Sequence, residues 1–167
     1  MRWSLRTIGI GCAGLLGLAV ASIEAHAACP QTGTSLMVET STHQLVLCKE
    51  GQSQGQYTVA LGSGGVDKFK EGDKKTPLGE YDLGEPRPSS KFAIFIPVGY
   101  PTELQRKEGR TGSEIGVHGP PEMWSWLGDL TTWGDWTKGC IAVGTVQAIQ
   151  DISEWVRREH VTSIILK

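Results

Sequence analysis

The sequence predicts a mainly β domain with some helix. Short apolar runs, many of them rich in β-branched residues, outnumber helical stretches, and the chain's 22 glycines and 8 prolines fall largely between them. Helical periodicity extends over several turns in one place, where Val146, Ile149, Ile152 and Val156 recur on one face. No internal repeat, low-complexity linker or second domain interrupts the pattern.

The first stretch reads as a secretory signal. Arg2 and Arg6 precede an apolar run from Ile8 to Ile23, and Ala25-His26-Ala27 supplies the small residues of a cleavage site after Ala27. Two alternatives stay open: an uncleaved membrane anchor, though the run is short and glycine-interrupted for a span, and a lipid-modified Cys29. Cleavage would leave residues 28–167 as one exported domain in the periplasm or cell envelope. Losing Arg2, Arg6 and Glu24, two bases and one acid, moves the net charge from −2 to −3. With no basic tract, neither nucleic acid nor an anionic membrane surface is an expected partner.

Leu36–Thr40 and Gln44–Cys48 read as a β-hairpin around Ser41-Thr42-His43, with His43 a solvated turn residue. Gln56–Leu61 reads as a third strand. Gly62-Ser63-Gly64-Gly65 lacks the Lys-Ser/Thr ending and helix start of a phosphate loop, so it reads as a turn. The charged run Asp67–Lys75 reads as a solvated loop. Thr76-Pro77-Leu78-Gly79 turns the chain into a strand at Glu80–Leu83. Pro86–Ser90 reads as a loop, Lys91–Pro97 as a buried strand, and Glu103 as the site of one helical turn. Thr145 or Gly144 caps the helix that runs to about Glu159; His160 follows it, exposed, and Val161–Leu166 reads as the last strand.

Cysteine arithmetic directs attention to one sulfur. Of four cysteines, Cys12 leaves with the signal, and an odd number in an oxidising compartment implies a free thiol or an intermolecular bond. Cys29 and Cys48 bracket the first hairpin and form one candidate disulfide, which leaves Cys140 over; pairing of Cys140 with either of them stays open. Cys140 stands between Gly139 and Ile141, ahead of the helix, where helix-end and loop N–H groups could face the same cleft. His118 lies in a short apolar run closed by Gly119, able to hold an imidazole in one orientation. Thiol and imidazole together suggest Cys/His acyl transfer. No Cys-x-x-Cys or histidine cluster suggests a metal, and the chemistry calls for no cofactor.

Three segments carry a family resemblance. Lys75-Thr76-Pro77-Leu78-Gly79-Glu80-Tyr81, Gly109–Ser113 leading into Val117-His118-Gly119, and Thr137-Lys138-Gly139-Cys140-Ile141 resemble, in this order, the signatures of L,D-transpeptidase catalytic domains, the YkuD-like family. The resemblance spans roughly residues 35–167. It implies a β-sandwich or barrel core with one main helix after the nucleophile. It also implies a peptidoglycan stem as acyl donor, cut after its third residue with release of D-alanine. The thioester then passes to a stem amine, or to a wall-anchored protein; a hydrolase of the same fold, with water as acceptor, is the rival reading. Cys140 would be nucleophile and His118 base, with the Gly119 carbonyl as third participant and N–H groups around Gly139 and Cys140 as oxyanion donors. Arg110 is a candidate for a substrate carboxylate. Lys138 and Ala142 depart from the family pattern, Ala142 standing where arginine is common; Lys138 would either favour the thiolate or face water. Four of the six tryptophans, Trp124, Trp126, Trp133 and Trp136, crowd the segment between His118 and Cys140. They form either a satellite core or a wall over the cleft, with Trp124 and Trp126 as substrate contacts.

Overall fold

The computed structural model describes residues 29–167, so the signal segment and its cleavage site lie outside the described residues. Among the described residues nine strands make one curled sheet: β1 (Thr34–Glu39), β2 (Gln44–Lys49), β3 (Gln52–Ala60), β4 (Gly79–Asp82), β5 (Arg87–Ser89), β6 (Ala93–Pro97), β7 (Gly116–His118), β8 (Ile141–Val143) and β9 (Ser163–Leu166). Their spatial order is β4-β9-β1-β2-β3-β8-β7-β6-β5. The curl brings the β4 end back to β6. A bridge joins Leu83 to Val98, flanked by bonds from Gly84 N–H to Pro97 O and from Gly99 N–H to Asp82 O, both 2.8 Å.

Alternation along the strands builds two apolar layers. Leu36 and Val38 of β1 enter the main core with Leu45, Leu47, Ile96, Val117, Ile141 and Ile164, while Met37 and Val46 point the other way. That second face is closed by Cys29 and Cys48, which are joined in a disulfide. Helix α1 (Glu103–Lys107) is the single turn expected near Glu103, held by a capping box between Thr102 and Gln105. Helix α2 (Val146–Arg158) starts at an N-cap in which Thr145 accepts from Ala148 N–H. It presses Ile149, Ile152, Trp155 and Val156 into the main core. Among the described residues no helix is long and apolar enough to cross a membrane.

Several expectations are corrected. Pro86–Ser90 contains edge strand β5, where Pro88 is tolerated because one side of an edge strand needs no ladder donor. The helix is capped at Thr145 as expected, but an unforeseen strand, β8, fills the stretch between Cys140 and that cap, paired parallel to β7 and antiparallel to β3. Helix-end N–H groups therefore start several residues beyond the sulfur. His43 does sit half-exposed in the hairpin turn, with its Nε2 3.2 Å from both carboxylate oxygens of Asp135. The 67–75 run is an exposed loop over most of its length, but within it Lys68 is buried and paired with Asp73 at 2.7 Å.

The Cys29–Cys48 bond closes a sequence separation of 19 residues. Replacing both cysteines by serine should cost about 2–4 kcal/mol of stability, read as a lower denaturant midpoint; an unchanged midpoint would show that the second apolar layer does not need the link.

Candidate active site

Parallel pairing of β7 with β8, in register Val117↔Ile141 and His118↔Ala142, puts His118 and Cys140 at the edge of one cleft. The cleft is about 990 Å³, and both side chains line it together with Phe92, Trp136, Thr137 and Lys138. Parallel strands cannot be joined by a tight turn and need a crossover. The tryptophan-rich segment is that crossover, a kinked run of 3-10 turns over Glu122–Thr132 broken at Gly128.

The histidine is enclosed by aromatic rings. Phe92 stacks on it at 3.9 Å between centroids, and Trp136 meets it edge-on at 5.9 Å. The residue is 1% exposed. Its Nδ1 lies 2.6 Å from Gly119 O, and since a carbonyl only accepts, Nδ1 carries the proton and Nε2 keeps its lone pair. Burial lowers the imidazole pKa to about 4, against a smaller upward pull from the Gly119 contact. At neutral pH the ring is a neutral base of fixed tautomer.

Cys140 is a free thiol. Its Sγ donates to Glu114 O at 3.3 Å. Burial pushes the thiol pKa up; a backbone hydrogen bond from Gly116 opposes this, Glu114 adds to the rise and Lys68 counters it. Both groups on the cleft thus favour their uncharged forms, thiol and imidazole rather than thiolate and imidazolium.

The turn that delivers the sulfur is set by Thr137 and Gly139. Thr137 is buried; its Oγ1 donates to Cys140 O at 2.8 Å and accepts from Gly139 N–H at 3.0 Å. Gly139 N–H is therefore engaged inside the loop, which leaves Cys140 N–H as the nearer candidate for an oxyanion donor. Gly139 itself has φ +121°, and a Cβ there would run into Lys75 O, so glycine alone fits.

The other sequence candidates divide. Lys138 is exposed on the cleft rim. Arg110 does not line the cleft; its guanidinium donates to Asp67 Oδ1 at 3.1 Å and to Lys68 O at 2.7 Å, and lies over the Phe69 ring. Neither Trp124 nor Trp126 lines it either. Trp124 packs edge-on against Trp136 at 5.2 Å, one layer back, and Trp126 is 79% exposed. Of the four tryptophans read as a satellite core or a cleft wall, Trp136 is the one that lines the cleft; Phe92 as the ring under the imidazole and the threonine clamp at 137 were not foreseen. Only Thr137 carried a visible signal, its place in the Thr-Lys-Gly-Cys-Ile segment.

A free thiol and a neutral imidazole of fixed tautomer on one cleft are the equipment of a Cys/His acyl-transfer centre. The model of the L,D-transpeptidase catalytic domain, YkuD, matches residues 33–165, and the chain belongs to that family. Solved structures share the fold. The helical cell shape determining protein Pgp2 from Campylobacter jejuni has TM-score 0.66 and 24% identity, covering 80% of this chain and 47% of that one. Bd1075 from Bdellovibrio bacteriovorus has TM-score 0.59 and 24% identity, covering 81% and 48%. An L,D-transpeptidase from Mycobacterium smegmatis has TM-score 0.50 and 15% identity, covering 80% and 58%. The chain spans about half the length of these relatives. No curated protein matches it significantly.

His118 makes stability depend on pH. Its folded pKa, about 4, lies below the 6.5 of a free histidine, so the unfolded chain binds the extra proton first as pH falls. The associated stability is complete above pH ~6.5 and lost toward pH ~4, on the order of 3 kcal/mol. Urea titrations at pH 7 and pH 4 should show the stability gap between wild type and His118→Gln shrinking by that amount; a constant gap would show the imidazole is not buried neutral.

Proposed function

We propose that the protein is a cysteine-dependent L,D-transpeptidase acting on peptidoglycan tetrapeptide stems outside the cytoplasm. The observation that carries this reading is the Nδ1–H of His118 bonded to Gly119 O, which leaves Nε2 as a neutral base in the cleft that holds a free thiol. Family membership supplies the donor: a stem amide after the third residue. Residues 28–167 would be the exported domain, freed of residues 1–27.

Nε2 takes the Sγ proton as sulfur attacks the amide carbonyl. Cys140 N–H offers a hydrogen bond to the tetrahedral oxyanion. Collapse breaks the C–N bond, and His118 returns its proton to the departing D-alanine nitrogen. An acceptor amine then attacks the thioester, giving its proton to Nε2, and the thiol is regenerated as that proton passes back to sulfur. The acceptor would be a second stem or a wall-anchored protein. Ala142, buried on β8, offers no charge to the substrate, so recognition falls to groups around the cleft.

Hydrolysis is the second reading, with water as acceptor and a tripeptide as product. It is favoured by the exposed polar rim of Ser90, Lys91, Ser113 and Lys138, which gives water a route to the thioester.

Purified protein given a tetrapeptide muropeptide should accumulate an acyl-enzyme on Cys140, release D-alanine and yield cross-linked dimers by mass spectrometry. Cys140→Ala should do none of these. Tripeptide without dimers would select hydrolysis, and absence of both D-alanine and adduct would overturn acyl transfer altogether. The rate should also fall as His118 protonates near pH 4.

A further inference from the structure

Lys68 is a buried cation that lines the cleft with Cys140 and that the acyl-transfer steps leave unused. We propose that its ammonium holds a free carboxylate of the acyl donor, the terminal carboxylate beside the scissile amide, and so sets specificity for an acidic peptide end. The proposal rests on the acyl-transfer reading above.

The ammonium is fixed before any substrate arrives. Nζ donates to Asp73 Oδ1 at 2.7 Å and to Lys70 O at 3.2 Å. An ammonium has three N–H groups, and the third has no partner among the described residues. The Lys68 and Asp73 side chains are only 4% and 11% exposed. Burial alone would raise the Asp73 pKa, but the Lys68 bond and backbone N–H groups of Lys75, Lys70 and Phe69 hold it well below the usual carboxylate range. Asp73 therefore stays a carboxylate throughout the working pH range.

Two observations turn this charge toward a ligand. A buried ion pair contributes little net stability, because desolvation offsets the attraction. Packing alone is thus a weak reason for a lysine here. The second is Gly112, which also lines the cleft at φ +115°. A Cβ at 112 would stand 2.9 Å from Lys68 Cε and 3.6 Å from Nζ, too close for a methyl group, so glycine there lets the backbone pack on the lysine stem and keeps a side chain off the ammonium at the cleft wall.

Competing cations are less suited. Lys74, Arg87, Lys91 and Lys138 are exposed, where water weakens a point charge, and Arg87 lies 3.6 Å from Glu114. Arg110 is committed to Asp67 and to Lys68 O. Its role is to hold the backbone that presents Lys68, with Tyr100 Oη donating to the same carbonyl at 3.1 Å.

The test compares a tetrapeptide stem with the same peptide ending in a carboxamide, by kcat/KM for release of the terminal residue. Wild type should prefer the free carboxylate by about 30-fold, the scale of one charge-assisted hydrogen bond. Lys68→Met should reduce the preference to within about threefold, and Lys68→Arg should restore part of it. Lys68→Met leaves Asp73 unpaired; Lys68→Met with Asp73→Asn removes that charge and should show the same collapse. A purely structural lysine would lower both substrates together and keep their ratio. A preference retained in the double variant, or wild type turning over both peptides equally, would overturn the proposal while leaving acyl transfer standing. Turnover of neither by wild type would overturn acyl transfer itself.

Discussion

The structure depends on the parallel pairing of β7 with β8. One strand ends in His118 and the other begins immediately after Cys140, so the register Val117↔Ile141 is what places imidazole and sulfur on one cleft. Both strands are three residues long and fully buried, flanked by β6 and β3. Their position is thus fixed by the sheet on either side rather than by their own length. The same pairing demands a crossover, and this accounts for the length of the segment between the two residues.

Burial then decides the chemistry. Phe92, Phe95 and Trp136 surround His118 and deny its charged form water, while the Gly119 carbonyl fixes which nitrogen is free. Desolvation raises the thiol pKa in turn. A neutral pair is slower to oxidise and alkylate than a preformed thiolate. The cleft wall opposite is held by polar bonds instead: Asp73 collects three backbone N–H groups and the Lys68 ammonium, and Arg110 and Tyr100 both donate to Lys68 O.

Much of this was legible from residue patterns. The first hairpin, the third strand, the helical turn at Glu103, the Thr145 cap and the last strand all follow local rules, and the ordered motifs led to the family. What escaped has a common physical origin. Strand β8 has no alternation because both faces are buried, and β5 contains a proline that an interior strand would exclude. Loop 67–75 is largely solvated as its charges imply, but no local pattern marks Lys68 and Asp73 as the pair that turns inward. The crowded tryptophans divide, with Trp136 on the cleft, Trp124 packed behind it, and Trp126 and Trp133 in solvent, a distinction that composition alone does not carry.

The neutral resting pair is the central claim, and the pH dependence of Cys140 alkylation by iodoacetamide tests it most directly. With the disulfide intact, Cys140 is the free thiol among the described residues, so its second-order rate can be followed by mass. The rate should rise with a single titration above the ordinary thiol value of 9.0, with no plateau of reactivity at neutral pH. A plateau between about pH 5 and 7 would reveal a thiolate–imidazolium pair and contradict the account.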